Sequence, residues 1–298
     1  MPWTGRQPSW GLASAAKAAP CPQSLRKFVW RLPDLADISG DMNSELTRAV
    51  ELAAKGQAED ARAIVMQLAN TGDPEALYTL GDMYWRGALI ECDWSQGFKA
   101  FQAAEAAGYE TARFVVTNLM ASGLGCERNW PAALTRLEAE AKVNAARAAA
   151  LDLIMRMTLD PEGNPARPPN RETLLTSPDL KAFPQLFSEA ECDYLRALAE
   201  PILAPSLVTG PNLEQVPDPI RTSDCATIFD RMEDPAVHAL NRRLAAISGS
   251  AYACGEPLLI LRYRPMQHYL NHLDALPGLE YQRVMTALVY LNEGFEGG

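Results

Sequence analysis

Between residues 42 and 160, apolar side chains return at helical spacing in short runs, each cut off by glycine or proline. Ser44 is placed to cap the first run, which has Leu46, Val50 and Leu52 among its apolar positions, and Gly56 closes it. The spacing predicts a second helix over 58–69, ended by Thr71-Gly72-Asp73-Pro74. The pattern breaks at 160–169, DPEGNPARPP, and a domain boundary is placed there. Beyond it, an amphipathic helix is predicted over 189–200, stopping near Pro201 and Pro205. Breakers at Gly210-Pro211, Pro217 and Pro219 make a loop expected near the mouth of a pocket. Residues 235–248 read as a helix with Val237, Leu240, Leu244 and Ile247 inward and the charges of Arg242 and Arg243 in solvent. In 282–292, Val284, Thr286, Leu288 and Tyr290 share one face and Met285, Ala287, Val289 and Leu291 the other. Both faces are mainly apolar, which predicts a buried strand.

The helical part repeats. Gly72 falls on Gly108, Ala76 on Ala112, Gly87 on Gly123 and Trp94 on Trp130, an offset of 36. The stretch EALYTLGDMYWRG followed by DWSQGFKAFQAAEAAG resembles the Sel1-like repeat, a relative of the tetratricopeptide repeat built from two antiparallel helices. Such a repeat cannot bury its apolar face alone and needs stacked neighbours. Tyr78, Tyr84, Trp85, Trp94, Phe98 and Phe101 recur at helical spacing and are assigned to the core, while a concave face is the expected seat of a protein partner.

A chain of 298 residues can hold two modest domains, and 48% apolar with 21% charged residues is ordinary for a globular protein. The net charge of −10 argues against a general nucleic-acid binder, which needs clustered Lys and Arg. No run approaches the ~20 apolar residues of a membrane-spanning helix, so no membrane partner is expected. Cys21, Cys92, Cys126, Cys192, Cys225 and Cys254 are scattered without a C-x-x-C pair. They read as reduced thiols, and a cytoplasmic location follows as the default. Residues 1–41 read as an unstructured leader, with Met42 an alternative start.

The chemistry lies near the end of the sequence. His272 and Asp274 are separated by one residue, so in an extended segment their side chains point the same way and can grip one metal ion. Two His and one carboxylate leave open positions on Fe(II), which suits an oxygenase better than a structural zinc site. Of the other two histidines, His238 sits in a helical pattern and His268 precedes a bend, and neither is expected to be a ligand.

The ordered set Glu256-Pro, Arg262-Tyr263, Pro265, Tyr269, His272-x-Asp274, Gln282-Arg283, Thr286, Tyr290-Leu-Asn and Gly297-Gly298 resembles the prolyl 4-hydroxylase-like Fe(II)/2-oxoglutarate dioxygenases. Phe183-Pro and Arg221-Thr222-Ser223 extend the resemblance upstream to about residue 177. It implies a double-stranded β-helix with His272 and Asp274 as iron ligands, Tyr263 against 2-oxoglutarate, and Thr286 and Tyr290 lining the same pocket. It further implies L-ascorbate to keep the iron reduced and a prolyl residue of a peptide or protein as substrate. The family's second iron-binding His and its 2-oxoglutarate-binding basic residue have no counterpart after Asp274, and Met266 stands where the family commonly has Gly. The expected fold is therefore α+β and multidomain. A leader covers 1–41, a helical repeat array 42–160, a linker 161–176, and a C-terminally incomplete, jelly-roll-like β-helix with flanking helices 177–298. The competing expectation is a non-enzymatic interaction scaffold with a degenerate oxygenase domain.

Overall fold

The structure is a computed structural model that describes residues 44–209, 215–272, 274 and 283–295. The expected leader, Gly210-Pro211, Gln282 and Gly297-Gly298 lie outside the described residues.

Seven helices follow one another: α1 (Ser44–Ala54), α2 (Ala58–Asn70), α3 (Pro74–Arg86), α4 (Trp94–Ala106), α5 (Glu110–Ser122), α6 (Trp130–Ala141) and α7 (Ala145–Arg156). Each packs on the next, giving a helical array. The offset of 36 is structural as well as sequential. Helix α5 begins and ends 36 residues after α3, and α6 begins 36 after α4. Gly87 and Gly123 close α3 and α5 in the left-handed conformation, at φ 67° and 76°, which favours a residue without Cβ. Asp93 and Asn129 cap α4 and α6, their side chains accepting from the backbone N–H of Gln96 and Ala132. Tyr78, Trp85, Phe98 and Phe101 are buried between these helices and build core, Trp94 packs against them half-buried, and Tyr84 is half-buried outside that cluster.

After α7 the chain folds back on the array. The Asp160 carboxylate accepts from the backbone N–H of Glu162 and Asn164. The turn so formed lays Gly163 against Trp130: a Cβ at Gly163 would stand 2.4 Å from the indole. A hairpin of β1 (Glu172–Thr176) and β2 (Asp179–Ala182) follows.

Helix α8 (Glu189–Ala199) starts with a capping box in which Ser188 and Glu191 satisfy each other's backbone N–H. Short strands β3 (Ala204–Pro205), β4 (Val208–Thr209) and β5 (Gln215–Val216) lead to β6 (Asp224–Ile228), and β7 (Leu258–Arg262) comes after α9 (Pro235–Ser248). Strands β3, β6 and β7 form an antiparallel sheet in that order, with Asp224 opposite Arg262 and Ala226 opposite Ile260. Leu195 and Ala199 from α8, Ala226, Ile228 and Ile260 from the sheet, and Val237 and Leu240 from α9 share one core. The other side of α9 joins the array, where Ala236 and Ala239 pack with Trp130, Ala133, Leu137, Ala150 and Leu153. Two alanines at this crossing let the helix axes approach closely.

Among the described residues the sheets are small and antiparallel, and they close no barrel. Two further expectations are corrected. Residues 283–292 form no strand. A strand apolar on both sides needs cover on both and a neighbour for its ladder. Here only Val289 and Leu291 find cover, against the core beneath β6 and β7, while Val284 is 96% exposed. Arg242 and Arg243 are not simply solvated. Arg243 makes a bidentate pair with Glu191 of α8 at 2.8 Å for each bond, and Arg242 donates to the Asn164 side chain, pinning the loop after α7 to α9. Among the described residues no helix is long and apolar enough to cross a membrane.

Candidate functional site

The site is built on the segment leaving β7. Pro265 and Met266 form a turn, and Met266 takes φ 70°, a left-handed conformation that costs a Cβ-bearing residue steric energy. The chain then pairs with residues 220–222. Leu270 N–H donates to the Ile220 carbonyl, and Thr222 N–H to the His268 carbonyl, both at 2.9 Å. The Thr222 hydroxyl accepts from His268 N–H at 2.9 Å. Ile220-Arg221-Thr222 is thus the ladder partner that aims the segment carrying His272, while Ser223 pairs with Ser206. Sequence spacing alone leaves these two stretches unconnected.

The imidazole and the carboxylate meet. His272 Nε2 lies 3.3 Å from Asp274 Oδ1. His272 Nδ1 lies 2.9 Å from the Leu270 carbonyl oxygen. A carbonyl can only accept, so Nδ1 carries a proton and donates it, while Nε2 is turned to the carboxylate oxygen. The tautomer is the one a metal-binding histidine adopts when its outer nitrogen is held by a carbonyl. Donors each about 2.1 Å from one metal ion, at right angles, would stand about 3 Å apart, so the observed separation fits two adjacent positions of one ion.

The carboxylate is supported from the other side. Thr286 donates its hydroxyl to Asp274 Oδ2 at 2.5 Å, leaving Oδ1 for the imidazole. This hydrogen bond is the main reason the Asp274 carboxyl is held below the usual range; partial burial opposes it, and His272 and Arg283 add to it. Arg283 also forms a two-bond pair with Glu256, at 2.5 and 2.7 Å, which fastens the segment carrying Thr286 to the residues before β7.

The structure therefore brings together His272, Asp274 and Thr286. Tyr263 follows β7 directly and is 45% exposed, and Tyr290 stacks with Phe295 at 5.6 Å. Among the described residues no hydrogen bond or ring contact joins either tyrosine to the pair. His268 turns its Nε2 toward the Pro219 carbonyl, 3.2 Å away. His238 is wholly buried with Nδ1 2.8 Å from Glu233. Neither faces the pair, and among the described residues no group of three His, Cys, Asp or Glu side chains could hold a metal ion. Tyr269 stands with its ring stacked on His272 at 3.6 Å, a neighbour that the spacing hints at but does not place.

No family model matches the chain. Among curated proteins it is similar to "Prolyl 4-hydroxylase 1" of Arabidopsis thaliana, 33% identical over 135 residues, which are 43% of this chain and 47% of that protein. "Probable prolyl 4-hydroxylase 10" of the same plant is 30% identical over 166 residues, 52% of this chain and 57% of the relative. "Prolyl 4-hydroxylase subunit alpha-3" of Bos taurus is 30% identical over 144 residues, 44% of this chain and 26% of the relative. The chain spans about half the length of the plant relatives it matches. These likenesses support a prolyl 4-hydroxylase-like domain within the chain.

Proposed function

We propose that this chain carries an Fe(II)- and 2-oxoglutarate-dependent dioxygenase domain that hydroxylates a prolyl or similar residue of a peptide or protein, with L-ascorbate as reductant. The carrying observation is the pair His272 Nε2 and Asp274 Oδ1 at 3.3 Å, with the imidazole tautomer fixed by the Leu270 carbonyl. The names of the similar proteins support the same reading. Bound iron and 2-oxoglutarate would supply the oxidising power needed to hydroxylate an unreactive C–H bond.

The chain's own residues bind and orient. His272 and Asp274 take two adjacent positions and leave the rest open. Thr286 holds Asp274 Oδ2, so the carboxylate binds through Oδ1 alone. Tyr263 and Tyr290 are assigned to the cosubstrate pocket on the strength of the resemblance. The domain occupies 177–298, the helical repeats 42–160 offer a seat for a protein partner, and the cytoplasm is the proposed location.

A second reading is favoured by the engagement of His238 and His268 elsewhere, which leaves two ligands among the described residues: a non-enzymatic scaffold whose oxygenase domain is degenerate. Mn(II) titration into the 298-residue protein separates the two. The oxygenase reading expects saturable binding that His272→Ala and Asp274→Ala each abolish, and succinate formed from 2-oxoglutarate when Fe(II) is supplied. Undetectable binding, or binding that both substitutions leave intact, would remove it.

A further inference from the structure

The pairing of residues 220–222 with 268–270 brings three side chains into contact. The Tyr269 and His272 rings stack with centroids 3.6 Å apart and planes 15° from parallel. The Arg221 guanidinium carbon lies 4.8 Å from the centre of the Tyr269 ring. Arg221 and Tyr269 face each other across an antiparallel bridge, so the backbone itself holds the guanidinium over the phenol. Arg221 Nε is buried and has no hydrogen-bond partner among the described residues, and the guanidinium lies against the negative face of the Tyr269 ring.

We infer that Tyr269, held by Arg221, is the positioning residue for His272: its ring fixes the plane of the imidazole so that Nδ1 meets the Leu270 carbonyl and Nε2 points at Asp274. Imidazole rotates about two side-chain bonds, and a single hydrogen bond at Nδ1 leaves it free to swing about that bond. His272 is one-third exposed, so packing alone does not lock it. A parallel ring at van der Waals distance removes this freedom. Loss of the hydrogen bond that holds a ligating histidine's other nitrogen typically lowers metal affinity by 10–100-fold, and the stack keeps the ring where that bond forms. The inference rests on the proposed metal site for its purpose, though its geometric content stands apart.

The experiment uses the full 298-residue protein, free of metal, with histidine-selective labelling for NMR. In the native protein the His272 ring protons are expected upfield, under the ring current of Tyr269, and its Nδ1–H slow to exchange. Tyr269→Leu is expected to lose both signatures, while the amide signals of Thr222 and Leu270 report that the ladder persists. Tyr269→Phe keeps the aromatic face and restores them. Mn(II) affinity is expected to fall about tenfold or more in Tyr269→Leu and to change less than about twofold in Tyr269→Phe. Unchanged His272 signals in a folded Tyr269→Leu protein would overturn the inference. Should that variant not fold, Arg221→Met reads the same two signals: their loss supports the assignment and their persistence overturns it. A native protein that takes up no Mn(II) but whose His272 signals respond to Tyr269→Leu would retire the oxygenase reading and leave the positioning role standing.

Discussion

Arg231, in the loop between β6 and α9, places its Nη2 2.8 Å from the Asp82 carboxylate of α3, and both side chains are nearly buried, at 15% and 11% exposed. The same guanidinium reaches the Tyr78 hydroxyl, and the Arg231 carbonyl accepts from the Asn118 side chain of α5. The helical array is thereby bonded to the segment that leads into α9.

Removing that guanidinium strips Asp82 of one charge-assisted partner, although Arg86 remains 2.7 Å away. Arg231→Met is therefore expected to cost about 2 kcal/mol of unfolding free energy. Urea unfolding measures it. A loss below about 0.5 kcal/mol would show that the contact is incidental, as for exposed pairs.

His238 gives a pH dependence. It is fully buried, and burial pushes its pKa below the usual value, with the Glu233 hydrogen bond opposing and Arg128 and Arg242 assisting. The folded state thus binds a proton less readily than the unfolded one. Stability is at its full value above the unfolded pKa of about 6.5 and falls as pH drops through it, until the folded value is passed. The slope from this residue is at most about 1.4 kcal/mol per pH unit. His238→Gln keeps an N–H for Glu233 and is expected to flatten the decline between about pH 7 and 5. Denaturant midpoints across that range check it, and an unchanged slope would assign the acid sensitivity to other groups.

Met266 offers a gain. Its φ of 70° is a left-handed conformation, and its side chain is 95% exposed, so nothing is lost in packing when it is removed. The steric relief of about 1–2 kcal/mol outweighs the entropy that glycine adds to the unfolded chain, about 0.5–1 kcal/mol. Met266→Gly is expected to stabilise by about 0.5–1 kcal/mol, visible as a higher thermal midpoint. A lower midpoint would mean that the turn owes its shape to contacts of the methionine.

The Glu256–Arg283 pair is partly exposed, at 44% and 37%, and its direct worth is under about 1 kcal/mol. Its consequence lies downstream, because it holds the segment from which Thr286 reaches Asp274. Glu256→Gln is expected to leave the unfolding midpoint within a degree or two while weakening Mn(II) binding several-fold. Equal losses in stability and binding would make the pair a purely structural one.

The helices were legible because their signals are local. Ser188 with Glu191, Asp93 before Trp94, and Gly87 after Arg86 each satisfy backbone groups within a few residues, so the chain announces its own boundaries. The His272-x-Asp274 spacing was legible in the same way. The apolar alternation of 282–292 misled, since period and burial are separate matters: alternation states what a strand would bury, and only neighbours supply the cover. Arg242 and Arg243 misled for the converse reason, as charge predicts solvent unless a partner arrives from elsewhere in the fold.

By itself, then, the order of residues determined the helical array with its 36-residue recurrence and the candidacy of one imidazole and one carboxylate, whereas Ser44, read as a cap, is the first residue of α1. Tertiary structure alone decided that Arg221 and Thr222 aim His272, that Tyr269 lies flat against it, and that α9 shares one core with Trp130. The physical reason is range. Backbone hydrogen bonds in helices close within four residues, whereas a ring stack or an ion pair joins positions tens of residues apart and exists only once the chain has folded.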